Sequence, residues 1–291
     1  IMKIGIIGTG MLGEAVGLHL LDVGYEVIVF NRTKEKTENL KKNGAIVGES
    51  PKHVAENSDL VITVVKDADA VNDVIFGSSG VIIGKHEGMC IADMSTVNPN
   101  SSKEISEKVT TAGIDYLEIP VMGGPNVAID GKLVLMASGK KDIFEKFKKV
   151  FGAIAEQSFY LGNTGTAHSI KLAMNLQISM LALSLSEGIT LTKTAGLDPE
   201  MFLKILNSTY LTTGMSEGKA YKMIKGSYEP TFTLANLKKD LDTIYDAADS
   251  CDAELPMAKL ARKIYSDAKD AGFGDIDYTG IIAHIAKLSE K

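Results

Sequence analysis

Met2-Lys3-Ile4-Gly5-Ile6-Ile7-Gly8-Thr9-Gly10-Met11-Leu12-Gly13 is the stretch whose reading decides the fold. Its first six residues form an apolar run of strand length. Glycines at 8, 10 and 13 follow at once, and Glu14–Val23 has the composition of a helix. A glycine triplet alone is weak evidence. Placed between a strand and a helix, with a second strand Glu26–Phe30 after a turn at Gly24, it is the phosphate-binding turn of a dinucleotide fold. In that turn Gly8 permits the tight bend, Gly10 lets the backbone approach a pyrophosphate, and Gly13 allows close helix–strand packing. Thr9, Met11 and Leu12 complete the loop, and the free amides at the helix start would meet the phosphates.

Working outward, strands and helices keep alternating, as a parallel sheet requires. Leu60–Val65, Met89–Asp93, Asp115–Ile119, Lys132–Ala137 and Phe159–Leu161 read as strands. Asp67–Phe76, Pro99–Thr110 and Ile143–Phe151 read as helices. The expected fold is an α/β Rossmann domain with a doubly wound, mainly parallel sheet. Ligands in such sheets bind beyond the carboxyl ends of the strands. That places Val64, Val65 and Lys66 beside the cofactor and brings Ser95 and Thr96 to its edge. Ser95 and Thr96 read equally well as caps for the helix that starts at Pro99.

The end of the second strand bears on the cofactor. An NAD site usually places a carboxylate there for the ribose 2′-hydroxyl. Here the run is Asn31-Arg32-Thr33, followed by Lys34 and Lys36. Arg32 can pair with a 2′-phosphate, while Asn31 and Thr33 can donate hydrogen bonds to it. NADP(H) is therefore expected in preference to NAD(H). Two adjacent glycines, Gly123 and Gly124, follow Met122 after another strand and could present amides to a small anion.

Beyond Gly162 the strand patterns stop. Gly162 and Gly165 bound a turn, and a proline-free helical stretch runs from it to Thr194. Ile170, Met174, Ile178, Leu181 and Leu185 recur at helical spacing, and Met180, Ala182 and Leu183 fill the other side, so the helix is expected to be apolar nearly all round and buried. Asn175, Gln177, Ser179, Ser184 and Ser186 argue against a membrane span. His168, Lys171 and Asn175 occupy its first turns. Pro199–Asn207, Met215–Lys225, Leu234–Ser250, Met257–Ala271 and Thr279–Leu288 read as further helices, with Asp198 as an N-cap. The expected division is residues 1–162 for the NADP-binding domain and 163–291 for an all-helical domain of substrate binding and oligomerisation, joined by the long helix.

The totals fit this plan. A chain of 291 residues can hold two cores, and 45% hydrophobic with 23% charged residues is globular composition. A net charge of −6 argues against general nucleic-acid binding. Cys90 and Cys251 read as buried free thiols, no metal site is expected, and no leader pattern precedes the first strand, so a cytoplasmic location is expected.

Taken together, these segments resemble the β-hydroxyacid dehydrogenase family, which includes 3-hydroxyisobutyrate dehydrogenase and the succinic semialdehyde and glyoxylate reductases. The resemblance spans the chain. Gly8–Gly13 matches the family's glycine loop with Met and Leu permuted, and Asp93-Met94-Ser95-Thr96 matches its Asp-x-Ser-Thr segment. Glu118-Ile119-Pro120-Val121-Met122-Gly123-Gly124 matches the substrate signature, with Ala128, Gly131, Leu133 and Met136 in register. Gly162, Gly165, Lys171 and Asn175 match the catalytic signature, and Phe232 and Lys239-Asp240-Leu241 match late features.

The resemblance implies that Lys171 is the general acid/base and that Asn175 helps hold it or the substrate. Gly123 and Gly124 would bind a substrate carboxylate, with Ser95 and Thr96 near the nicotinamide. Lys239 would reach the cofactor, and Asp240 and Phe232 would border the cleft. Three departures stand out: Met122 replaces a serine, Met174 replaces the first of two asparagines, and Ala167 replaces a glycine. The expected reaction interconverts a small β-hydroxy acid and its semialdehyde, or reduces glyoxylate, in a homodimer or homotetramer. Two alternatives are a family member acting on another hydroxy acid such as serine, and a non-catalytic NADP-binding protein.

Overall fold

In a computed structural model, which describes residues 2–289, the chain divides into two compact units, 1–171 and 172–291. The first is built on β1 (Lys3–Ile7), β2 (Glu26–Phe30), β3 (Ile46–Val47), β4 (Leu60–Thr63), β5 (Cys90–Asp93), β6 (Asp115–Glu118), β7 (Val121–Met122), β8 (Leu133–Gly139) and β9 (Ala155–Tyr160). Between them run α1 (Met11–Asp22), α2 (Glu38–Lys42), α3 (Pro51–Glu56), α4 (Ala68–Phe76), α5 (Pro99–Thr111), α6 (Pro125–Ala128) and α7 (Lys141–Ile154). The sheet order is β3-β2-β1-β4-β5-β6-β8-β7, with β9 beside β8. The first six strands pair in parallel, β8 runs antiparallel to β6, and β9 is parallel to β8. The strand order reverses between β1 and β4, where a doubly wound sheet opens its binding crevice.

Alternation along each strand fills two cores. Ile4, Ile6, Val27, Val29, Leu60 and Ile62 pack on one face with Val16 and Leu20 of α1 and Phe147 and Phe151 of α7. Ile7, Ile28, Val61 and Ile91 turn to the other, against Val54, Val71, Ile75, Ile105 and Val109 of α3, α4 and α5. At roughly 25 cal/mol per Å² of apolar surface, burial on both faces is the main force holding the sheet. The expectation of a doubly wound, mainly parallel sheet is met. The short segment α2–β3–α3 was not expected, because two residues of β3 carry too little periodicity to read.

α8 (Thr166–Thr194) starts in the first unit and continues into the second. The second unit adds α9 (Pro199–Leu206), α10 (Gly214–Gly218), α11 (Ala220–Lys225), α12 (Leu234–Asp249), α13 (Pro256–Ala268) and α14 (Ile281–Leu288). Its larger core joins Leu172 and Ala182 of α8 to Leu237, Leu241 and Ile244 of α12 and Ala258, Ala261 and Tyr265 of α13.

The buried stripe of α8 differs from the expected one. Leu185 is buried as expected, but it shares the inward face with Leu172, Asn175, Ser179, Ala182, Ser186 and Ile189, whereas Ile170 and Met174 are 46% and 40% exposed. Ser179 and Ser186 satisfy their own hydroxyls on the carbonyls of Leu176 and Ala182, each at 2.7 Å, so they can be buried as small residues at a close helix contact. By length and composition alone α8 could cross a bilayer.

Two further expectations are corrected. Cys251 is exposed, beyond the end of α12, although Cys90 is buried. The helix expected over Met215–Lys225 is broken at Lys219, between α10 and α11. Lys219 instead reaches Asp277, with Nζ 3.0 Å from both carboxylate oxygens. Thr231 and Thr279 each donate to the same carboxylate through N–H and hydroxyl. Burial pushes the Asp277 carboxyl up, but the hydrogen bonds from Thr279 and the Lys219 charge outweigh it, so the group sits below its ordinary value. A carboxyl depressed in the folded state adds stability above its unfolded pKa, and that stability is lost as pH falls through the folded pKa. Asp277→Asn is expected to cost roughly 3 kcal/mol in urea unfolding at pH 7. The cost should shrink steadily as the titration is repeated at lower pH through the carboxylate range.

Candidate active site

The glycine loop assigns each of its glycines a different task. Gly8 has φ +101°, and a β-carbon there would lie 2.1 Å from the Val64 carbonyl oxygen. At Gly13 a β-carbon would lie 2.0 Å from the Gly8 carbonyl oxygen, so α1 can approach β1 only without a side chain. At Gly10 a β-carbon would meet nothing within 4 Å: the space above this residue is open. Gly10 is also the N-cap of α1, and its side-chain-free cap leaves the first-turn amides to a ligand. These residues fit a dinucleotide pyrophosphate, with open room at Gly10 and positive helix-end dipoles beneath it.

Asn31 is engaged differently from what the sequence suggested. Its Oδ1 accepts from the Thr9 amide at 3.1 Å, and its Nδ2 donates to the Thr33 carbonyl at 2.9 Å. Thr9 in turn donates its hydroxyl to the Lys36 carbonyl at 2.8 Å. Asn31 is thus a clasp between the glycine loop and the β2 loop, and Arg32, Thr33 and Lys36 are the exposed groups beside it. On the other side of β1, the Val65 amide donates to Ser95 Oγ at 3.0 Å, and Lys66 pairs with Asp67 at 3.8 Å. Ser95 and Thr96 do not cap α5: Asn98 does, accepting from the Asn100 amide. Thr96 is half-buried next to Ser95.

The Lys171 side chain lies at the start of α8, with Nζ 3.4 Å from Met122 Sδ. Met122 leads directly into Gly123, whose φ is +115°, and Gly124, which opens α6 behind Pro125. The expected proton donor is therefore brought beside Met122, the residue just before the two glycines, within the first unit. One helical turn beyond Lys171, Asn175 is buried and donates Nδ2 to Asp240 Oδ2 at 2.7 Å. A carboxylate only accepts, so the amide nitrogen must face it and the amide oxygen must face away. Asn175 Oδ1 has no hydrogen-bond partner among the described residues. Lys239 pairs with Asp240 at 2.6 Å. Phe232, just before the start of α12, packs edge-on to Tyr278 at 6.0 Å.

Within the first unit, Asp93 and Glu118, quoted in the family signatures without a role of their own, line up with Thr63 and Ser138, which no motif included. Thr63, Asp93, Glu118 and Ser138 are register partners across β4, β5, β6 and β8, and each is fully buried. Asp93 Oδ1 accepts from Thr63 Oγ1 at 2.7 Å and from the Ser95 amide at 3.1 Å. Glu118 accepts from Ser102, from Ser138 and from the Gly165 amide. Burial, and then the charge of Asp93, push the neighbouring Tyr116 phenol well up. A charged residue closing each of two apolar strands was the available signal.

Comparison with known proteins agrees with this geometry. Residues 3–162 match the model of the NAD binding domain of 6-phosphogluconate dehydrogenase, and residues 165–285 that of the NAD-binding segment of NADP-dependent 3-hydroxyisobutyrate dehydrogenase. Glyoxylate/succinic semialdehyde reductase 1 of Arabidopsis thaliana is 34% identical over 97% of this chain and 97% of its own length. The chain belongs to the β-hydroxyacid dehydrogenase family. It is accordingly an NAD(P)-dependent oxidoreductase of the hydroxyacid dehydrogenase type. A crystal structure of 3-hydroxyisobutyrate dehydrogenase from Salmonella typhimurium, 25% identical, superposes with a TM-score of 0.89 over 98% of this chain and 100% of that one. Cytokine-like nuclear factor N-PAC of Xenopus tropicalis is 33% identical over 96% of this chain but 52% of its own length.

For this family member the open space at Gly10 makes a sharp prediction. Gly10→Ala should fold with an unchanged melting temperature, since the new methyl meets nothing. It should weaken dinucleotide binding, read by nicotinamide fluorescence, by about tenfold or more, because the methyl occupies the phosphate's approach.

Proposed function

We propose that the enzyme is an NADP-dependent reductase of small carboxylate-bearing aldehydes, interconverting a β-hydroxy acid and its semialdehyde or reducing glyoxylate, with Lys171 as general acid/base. The observation that carries this reading is the approach of the Lys171 ammonium to Met122, at the mouth of the Gly123–Gly124 turn. A carboxylate taking hydrogen bonds from the amides of that turn would hold its own carbonyl within reach of the lysine. The reductase of Arabidopsis thaliana, whose name states glyoxylate and succinic semialdehyde, supports this substrate class.

A bound nicotinamide supplies the hydride. The chain's own residues then have three duties. The turn at Gly123 and Gly124 orients the substrate through its carboxylate. Lys171 donates a proton, or a hydrogen bond, to the oxygen on which charge accumulates, and takes it back in the oxidation direction. Asn175 offers its amide oxygen as an acceptor, fixed by the Asp240 carboxylate behind it. Met122 contributes a thioether where the family has a hydroxyl. Sulfur is a weak acceptor, so it competes little with a substrate oxygen for the ammonium protons, and it makes the wall of the site apolar. Arg32, exposed beside the Asn31 clasp, supports a preference for a 2′-phosphate. Exposed apolar side chains at Leu191, Leu197, Met201 and Ile205 support assembly into a homodimer or homotetramer.

Two measurements test the reading. With succinic semialdehyde and glyoxylate as substrates, Lys171→Ala should lower kcat by about 100-fold or more while NADPH still binds. A variant that binds NADPH and turns over normally would remove the lysine from the mechanism. Arg32→Ala should raise the Kd for NADPH by roughly tenfold and leave that for NADH within about threefold. Equal effects on both would show that Arg32 does not read the 2′-phosphate. If the unaltered protein binds NADPH but consumes none with any substrate of the class, the alternative of a non-catalytic NADP-binding protein prevails.

A further inference from the structure

His168 is among the most deeply buried polar residues of the first unit, with no exposed surface. Neither of its ring nitrogens has a hydrogen-bond partner among the described residues. Its Nε2 lies 3.7 Å from Asp93 Oδ2, a carboxylate oxygen that is equally buried and equally without a hydrogen-bond partner. Buried polar atoms are nearly always paired, so an unpaired ring nitrogen beside an unpaired carboxylate oxygen calls for an explanation. The gap exceeds hydrogen-bond length by less than about 1 Å. An imidazole N–H turned toward Asp93 would satisfy both atoms at once.

The position of this pair gives it a role. His168 stands three residues before Lys171, so the two share a face of the first turns of α8. Asp93, through its other oxygen, holds the Ser95 amide, and Ser95 Oγ holds the Val65 amide. The pair therefore joins two parts of the site: the helix turn that carries the lysine, and the strand ends where the nicotinamide is expected. Glu118 anchors the same helix start by its backbone, at the Gly165 amide, 2.7 Å away. That bond fixes where α8 begins. Thr166 Oγ1 on the Leu161 carbonyl and the Ala167 amide near Ser138 Oγ hold the same turn, and a tether at His168 would add a hold by a side chain that points into the unit's interior.

We propose that His168 is a positioning residue for the reaction, tying the lysine-bearing turn of α8 to Asp93 and so holding Lys171 in register with the Ser95–Thr96 segment. The proposal rests on the reading of Lys171 as proton donor, and its test separates the two. Hydrogen exchange at the amides of Gly165–Leu172 reads the tether without reference to activity. His168→Leu, which keeps the volume and removes the donor, should speed that exchange about tenfold or more. His168→Gln, whose amide can reach the place of Nε2, should restore it.

In steady-state kinetics with NADPH and the best semialdehyde substrate, His168→Leu should lower kcat by roughly 30- to 100-fold, the scale set by a misplacement of about 1 Å. Its KM and the Kd for NADPH should stay within about threefold of the unaltered values, and His168→Gln should recover most of kcat. Should the leucine variant fail to fold, His168→Asn, with an amide too short to reach Asp93, takes its place. Unchanged exchange in a folded leucine or asparagine variant overturns the tether whatever the enzyme reduces. Faster exchange with unchanged kcat overturns the positioning role. Normal turnover in Lys171→Ala, beside lowered turnover in His168→Leu, would instead sink the lysine reading and leave the tether standing.

Discussion

The close approach of α1 to β1 governs the rest of the first unit. A side chain at residue 13 would stand inside the carbonyl oxygen of Gly8, so the helix can be laid on the strand only because residue 13 is glycine; a β-carbon at residue 8 would instead meet the Val64 carbonyl just beyond β4. That contact aims the amide end of α1 over the carboxyl edge of the sheet. Within the first unit, the residues expected to touch a cofactor, from the Asn31 clasp to Ser95, flank the edge so exposed. The constraint is steric and local, which is why a short run of sequence could announce an entire architecture.

Legibility followed the range of the interaction. The doubly wound sheet was readable because strand and helix periods alternate in sequence, and the family signatures were readable because each is contiguous. Lys171 and Asn175 could be placed on one face by counting along a helix. What escaped were contacts between segments far apart in the chain. Asn31 was read only as a donor to a phosphate, and its bridge between Thr9 and Thr33 was not foreseen. The buried face of α8 was misjudged because apolar residues were counted and the serines were not. A serine bonded to its own helix carbonyl packs like a small apolar residue. The break at Lys219 depended on Asp277, fifty-eight positions later, and no local propensity contains that information.

The two units handle charge in contrasting ways. In the second, Asp277 and Asp240 each face a lysine, and Asp277 is further ringed by hydroxyl and amide donors. In the first, Asp93 and Glu118 lie side by side in adjacent strands with neutral donors for most of their bonds. Burying carboxylates in this way is expensive unless their acceptors are filled. Glu118 is filled, by two serines and a backbone amide. Asp93 is half filled, and His168 stands at the open half.

The row Thr63, Asp93, Glu118 and Ser138 also bears on how the chain avoids misthreading. Ala92 and Leu117, immediately before the two carboxylates, are paired with each other and sit in the hydrocarbon core. A slip of one residue in β5 or β6 would exchange an alanine or leucine for a carboxylate there, leaving a naked charge in oil. Such an error is penalised far more heavily than the correct alignment is rewarded. The sheet's acidic row thus acts as a key that only one threading of the strands will accept.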